Sequence, residues 1–232
     1  MTAQPRPRIG VVVFPGSNDD RDAALALEQL GAEAVFVWHA EPELPDVTAV
    51  VLPGGFSYGD YLRCGAIARF APVMRAVRRF ADKGGLVLGI CNGFQVLCEA
   101  GLLPGALRPN TSLSFVCREV PLHVERTDTP FTTRAEARRR LLVPVKHGEG
   151  CFVADEELLA GLEAKRQVAL RYEENPNGSV AGIAAVVSEA GNVFGLMPHP
   201  EHAVDAFLGS TDGELILGSM IDAARERVPV LA

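Results

Sequence analysis

The sequence predicts an α/β fold: a mostly parallel, doubly wound sheet with flanking helices and a small antiparallel addition. Three observations predict it. Short β-branched runs recur through the first hundred residues, each ended by glycine or proline. Segments with apolar residues at helical spacing lie between them. Beyond Leu102 the pattern shifts towards alternation and turn-rich joints. Strands that alternate with helices imply parallel pairing with both faces covered. Later alternation implies antiparallel strands.

The elements follow in order. Ile9-Gly10-Val11-Val12-Val13-Phe14 is a β-branched run, read as a buried strand. Pro15-Gly16-Ser17-Asn18 breaks it. Asn18 or Asp19 can cap a helix running to about Leu30, with Gly31 as its stop. Residues 34–38 form a second strand and residues 49–52 a third, ended by Pro53-Gly54-Gly55. Ile67, Phe70, Met74, Val77 and Ala81 fall at helical spacing and predict a helix over 66–81. Pro72 lies inside it and either starts or kinks that helix. Residues 85–90 are a short apolar strand, and a helix follows Cys91.

In the second half, residues 114–124 predict an antiparallel strand. Residues 130–140 are polar and basic and contain the run Arg138-Arg139-Arg140. That run is read as a solvated loop, with a partner interface as the sharper alternative. Residues 155–164 form a short helix. Strands at 168–172 and 183–188 flank the turn-rich Asn175-Pro176-Asn177-Gly178. Residues 192–197 form the last strand, ended by Pro198-His199-Pro200-Glu201, and a helix over 215–228 closes the chain. No repeat, low-complexity segment or linker appears, so residues 1–232 are expected to form a single domain.

Composition narrows the function classes. A net charge of −7 removes the electrostatic case for nucleic acid or an anionic membrane. Five cysteines, with no C-x-x-C pair, argue against a disulfide framework or structural zinc and fit a reducing cytoplasm. The basic start runs straight into a strand without a signal-peptide core, and no run approaches the ~18 apolar residues of a membrane span.

The chemistry centres on Gly89-Ile90-Cys91-Asn92-Gly93-Phe94-Gln95, where strand turns into helix. A reactive residue on such an elbow needs small residues two places either side. Gly89 and Gly93 hold those places. A thiol at a helix N-terminus is stabilised as thiolate by backbone N–H groups and the helix dipole. The competing reading is a buried structural cysteine. A cysteine nucleophile needs a base. His199 follows the last strand and can face the same sheet edge as Cys91. Glu201, two residues on across a rigid proline, can fix the imidazole tautomer. Otherwise His199 is a surface histidine beside an acidic helix start. His39 and His123 lack a local constellation, and His202 is expected to point away. His147, with Gly148-Glu149-Gly150 after it, is a further site candidate.

The elbow matches the G-x-C-x-G-x-Q motif of the class I (triad) glutamine amidotransferases, whose core is flavodoxin-like. His199-Pro200-Glu201 matches their H-P-E signature, in the same chain order. Pro53-Gly54-Gly55-Phe56-Ser57-Tyr58-Gly59-Asp60-Tyr61-Leu62-Arg63-Cys64-Gly65-Ala66 resembles a loop of one branch, the glutaminase subunits of phosphoribosylformylglycinamidine synthases. So do Asn110-Thr111-Ser112-Leu113-Ser114-Phe115-Val116 and His147-Gly148-Glu149-Gly150. The resemblance implies that Cys91 attacks the side-chain amide of glutamine, His199 transfers protons and Glu201 orients it. It implies an oxyanion hole from the backbone N–H groups of Gly55 and Asn92. Gly54, Gln95, His147 and Glu149 become candidates for lining the substrate. No metal is expected. The sequence has no G-x-x-x-x-G-K-[ST] loop. The resemblance therefore places ATP, Mg and formylglycinamide ribonucleotide on a larger synthetase subunit, with a third small subunit as a further partner. The alternatives are the glutaminase of a different amidotransferase, a cysteine-elbow hydrolase or deglycase of the chaperone-and-protease-like superfamily, and a flavodoxin-like binding module with a structural cysteine. The H-P-E turn counts against the last two.

Overall fold

A computed structural model describes residues 6–136 and 139–227. The first half contains β1 (Arg8–Val13), α1 (Asp20–Gln29), β2 (Glu33–Trp38), β3 (Ala49–Leu52), α2 (Pro72–Asp82), β4 (Leu86–Ile90) and α3 (Asn92–Glu99). The second contains β5 (Ala106–Arg108), β6 (Val116–Val124), β7 (Arg140–His147), β8 (Cys151–Val153), α4 (Glu156–Ala164), β9 (Val168–Tyr172), β10 (Ile183–Val187), β11 (Val193–Leu196) and α5 (Gly213–Arg225). Nine strands make one sheet in the order β2-β1-β3-β4-β11-β10-β9-β6-β7, and β5 pairs with β8 separately.

The parallel block is β2-β1-β3-β4-β11. Its inner strands β3, β4 and β11 are buried at every residue. That is why they read as unbroken apolar runs instead of alternating ones. Pro72 starts α2 at its first helical turn, where a missing N–H costs nothing. The stretch before it is a separate 3-10 turn at Ala68–Phe70.

From β1 the chain moves to one neighbour, β2, and from β3 to the other side, β4. With right-handed crossovers this reversal puts helices on opposite faces. It also opens a crevice beyond the carboxyl ends of β1 and β3, where open α/β sheets bind ligands. The loops after β1, β3, β4 and β11 all emerge at that edge.

The antiparallel extension is larger than the alternation suggests. β10, β9, β6 and β7 supply four more pairings, all antiparallel. The sequence pattern assigns no strand to β7, whose run is interrupted by Pro144; the structure pairs Pro144 with Glu119 of β6. β7 lies four strands from β11. In a flat sheet that is roughly 19 Å. Yet the Pro144 carbonyl accepts the His199 N–H at 2.8 Å, so the antiparallel half curls back over the crevice.

The basic run has no single face. Arg139 pairs with Asp212 and Arg140 with Glu173, while Arg138 lies outside the described residues. The end of the predicted last helix at Val228 also lies outside them. Among the described residues no helix is long and apolar enough to cross a membrane.

Candidate active site

Cys91 sits between β4 and α3 with φ 50° and ψ −105°, a strained conformation for a side-chain-bearing residue. Its neighbours explain how the strain is held. A Cβ on Gly93 would lie 1.9 Å from the Leu52 carbonyl oxygen, and one on Gly89 would lie 2.7 Å from the Gly93 backbone. The two glycines therefore let α3 seat directly on β3 and β4. The Cys91 N–H donates to the Leu196 carbonyl at 2.8 Å, which ties the elbow to the end of β11. The thiol is 5 % exposed and lies at the wall of a cleft of about 210 Å³. Its Sγ is 3.8 Å from the Lys146 carbonyl oxygen.

His199 and Glu201 are also buried. Pro200 opens a 3-10 turn that brings both side chains to one side. His199 Nδ1 meets Glu201 Oε1 at 2.6 Å. With that nitrogen engaged, Nε2 is the free position, and it has no hydrogen-bond partner among the described residues. Burial alone opposes a charge on His199, but Glu201 and Cys91 outweigh it and push the imidazole up to about 10. The pair therefore places an imidazolium beside the Cys91 sulfur.

Gly55 adopts φ 139°, and a Cβ there would meet the Asn18 nitrogen at 2.6 Å and the Gly16 oxygen at 2.7 Å, so the position requires glycine. Among the described residues its N–H donates to nothing, and it lines the cleft with Cys91. Asn92 opens α3, so its N–H has no intrahelical acceptor. Two unspent donors thus flank the thiol. The Asn92 side chain is structural: it accepts from Ser57 N–H at 3.1 Å and donates to Gln95 Oε1 at 2.8 Å. Gln95 Nε2 then donates to the Glu149 carbonyl at 2.6 Å, so Gln95 links the elbow helix to the loop after β7.

The other sequence candidates divide. Glu149 and His147 line the cleft. His147 accepts from Asn177 at Nε2 (3.4 Å) and meets Asn110 Oδ1 at Nδ1 (3.1 Å). Burial, helped by the charge of His199, brings it down to about 4, so it is a neutral brace of the cleft wall. Gly54 does not line the cleft. A Cβ there would sit 2.4 Å from Asp19 Oδ2 and 2.7 Å from His199 Cε1. Its role is to let the imidazole and Asp19 approach. Gly54→Ala is therefore expected to leave the far-UV circular dichroism unchanged and lower kcat about 100-fold by displacing His199.

Three residues of this cluster escape a reading of the motifs. Asp19 does not cap α1; its side chain makes no bond to that helix. It instead forms an ion pair with Lys146 and lies 3.7 Å from His199 Nδ1. Lys146 Nζ also donates to His202 Nε2 at 2.8 Å. His202 corrects an expectation: the 3-10 turn, unlike a strand, turns it towards its neighbours, with its ring 5.6 Å from that of His199. Ligand-type atoms of Asp19, His199, Glu201 and His202 lie within 4.8 Å of one another. The Lys146 ammonium already supplies the positive charge on Asp19 and His202, so the cluster is one of ion pairs.

The chain is similar to known proteins along most of its length. Residues 6–214 match the CobB/CobQ-like glutamine amidotransferase domain. A Salinibacter ruber protein named phosphoribosylformylglycinamidine synthase subunit PurQ is 58% identical, with 93% of this chain and 96% of that protein covered. A Rubrobacter xylanophilus protein of the same name is 60% identical, with 94% and 99% covered. The chain superposes on one from the structure of PurLQS from Thermotoga maritima with a TM-score of 0.87 and 46% identity, covering 94% of this chain and 99% of that one. A putative GMP synthase component from Thermoplasma acidophilum, with a TM-score of 0.67 and 16% identity over 96% of each chain, shares the fold.

Proposed function

The chain belongs to the CobB/CobQ-like glutamine amidotransferase family, and from that premise we propose that Cys91, His199 and Glu201 hydrolyse glutamine through a γ-glutamyl thioester. The chain is the glutaminase subunit of a phosphoribosylformylglycinamidine synthase, the activity named for relatives that match it nearly end to end. Its partners are a synthetase chain and one further small chain, as in the PurLQS assembly. ATP and Mg are used on the synthetase chain, and the complex works in the cytoplasm. Residues 1–232 act as one domain.

The observation that carries the catalytic assignment is the buried 2.6 Å contact between His199 and Glu201 at the same sheet edge as the strained Cys91. The Cys91 thiolate attacks the side-chain amide carbon of glutamine. The oxyanion that forms is held by the N–H groups of Gly55 and Asn92; one such donor is typically worth about 2.7–4 kcal/mol. His199 gives its proton to the amide nitrogen, the C–N bond breaks and ammonia leaves. Forming the thioester consumes the thiolate charge that helped keep His199 protonated. The imidazole is then neutral and a better base, and it takes a proton from water. Hydroxide attacks the thioester carbon, the C–S bond breaks, and glutamate departs. Glu201 holds one tautomer throughout.

Intact mass after treatment with a diazo-ketone analogue of glutamine tests this reading. One adduct, on Cys91 and blocked by excess glutamine, is expected, with faster labelling once the synthetase chain is added. No adduct with or without that chain would return Cys91 to a structural role.

A further inference from the structure

We propose that Asp19, paired with Lys146, is a positioning residue for the catalytic imidazole: a second carboxylate beside His199 that favours its charged form until ammonia leaves. The proposal rests on the triad assigned above.

The geometry separates this role from the ordinary one. An aspartate before a helix usually caps it. Here only the Asp19 backbone carbonyl serves α1, accepting the Ala23 N–H at 2.9 Å. The side chain turns away, and its Oδ2 lies 3.7 Å from His199 Nδ1. Glu201 takes the hydrogen on Nδ1 at 2.6 Å, so Asp19 acts on the ring through charge alone. Gly54 keeps the space between them free of a side chain.

A carboxylate that is 4 % exposed and beside a second carboxylate would ordinarily take up a proton. Burial does oppose ionisation of Asp19. His202, His199 and Lys146 outweigh it and hold the carboxyl well below its usual range. Lys146 is the one permanent cation among them. It donates to Asp19 Oδ1 and to His202 Nε2, and His202 Nε2 lies 3.4 Å from the same Asp19 oxygen. The same residue's carbonyl touches Cys91 Sγ, so one position on β7 contacts the nucleophile and the charge behind the base.

The groups facing His199 can be sorted by sign. Glu201, the Cys91 thiolate and Asp19 favour the imidazolium. Burial disfavours it, as does the Lys146 charge by Coulomb's law, His147 is neutral, and the His202 ring faces it 5.6 Å away. Removing Asp19 takes away one of three negative neighbours and leaves the hydrogen bond to Glu201 in place.

The test uses the full chain assembled with its synthetase partner. The His199 ring is followed by NMR of ¹⁵N-labelled histidine, identified by the resonance lost in His199→Gln. Asp19→Asn preserves shape and removes charge. It is expected to lower the His199 midpoint by about one pH unit, and to move the basic limb of kcat/KM for glutamine down by the same amount. In a Lys146→Met background, where Asp19 has lost one of the groups that favour its charge, adding Asp19→Asn is expected to shift the midpoint by less. An unchanged midpoint in Asp19→Asn, with or without a loss of rate uniform in pH, would overturn the role of Asp19. A full shift in the Lys146→Met background would overturn that of Lys146. Failure of the triad itself would appear elsewhere, as a wild-type chain that takes no diazo-ketone adduct.

Discussion

Cys91→Ser is expected to abolish glutamine-dependent product formation by the assembled enzyme, by roughly 10⁴-fold or more, and to leave ammonia-dependent formation intact. A serine hydroxyl is not ionised by an imidazolium; it needs a neutral base to take its proton. With the sulfur gone His199 loses one of the charges that favour the imidazolium and keeps that of Glu201, so only part of it is a free base. The variant thus trades the proposed sulfur nucleophile for a hydroxyl that is a poorer nucleophile with an incompletely available base. Little else changes. Cys91 contributes its N–H to the Leu196 carbonyl and a long contact from Sγ, and serine keeps the first. Steady-state rates with glutamine and with ammonium salt, measured on one preparation with the synthetase chain, check this. Loss of both would mean that the elbow holds the complex together. A surviving glutamine rate would mean that another residue is the nucleophile.

What is legible in the sequence is what the chain builds locally. The elbow announces itself because its motif is contiguous in sequence, although only Gly89 is demanded from within the strand–turn–helix unit, by Gly93 and Leu97, while Gly93 is demanded by Leu52 of β3. His199-Pro200-Glu201 does so because two residues and a proline suffice to aim both side chains. Asp19 and Lys146 have no such signature. Their contact spans 127 residues of chain and exists only because the antiparallel half of the sheet curls back over the parallel half. Asp19 also carries a misleading local signal, since an aspartate at a helix start reads as a cap. Pro144 hides β7, and with it the strand that delivers Lys146. His202 misleads for a related reason: alternation holds along a strand, and the residues after β11 leave the strand for a 3-10 turn. The parallel block is legible because its buried strands are apolar on both faces.

Gly93→Ala should damage stability and catalysis together, against the trend for that substitution. In a helix interior, alanine is favoured over glycine by about 1 kcal/mol. Gly93 lies in the first turn of α3 and its φ is not left-handed, so backbone propensity alone predicts a gain. Packing reverses the sign. The new methyl would lie 1.9 Å from the Leu52 oxygen, 2.6 Å from its carbonyl carbon and 2.8 Å from its Cβ. These atoms belong to β3 in the middle of the sheet and have nowhere to go. The helix must lift instead, by about an ångström, and Cys91 and the Asn92 N–H move with it. Overpacking of this kind costs about 1–3 kcal/mol or more, equivalent to a fall in Tm of about 2–4 °C per kcal/mol for a chain of this size. The rate should fall about 100-fold or more, since a displacement of one ångström suffices for that. Gly161→Ala is the matched control. Gly161 lies inside α4, also without left-handed φ, and a methyl there meets nothing within 4 Å. It should raise Tm slightly and leave kcat alone. Melting curves and glutamine turnover on the two variants decide the matter. Equal behaviour would mean that α3 is free to shift on β3, and that the closeness of helix to strand is not what holds Cys91 in its strained turn.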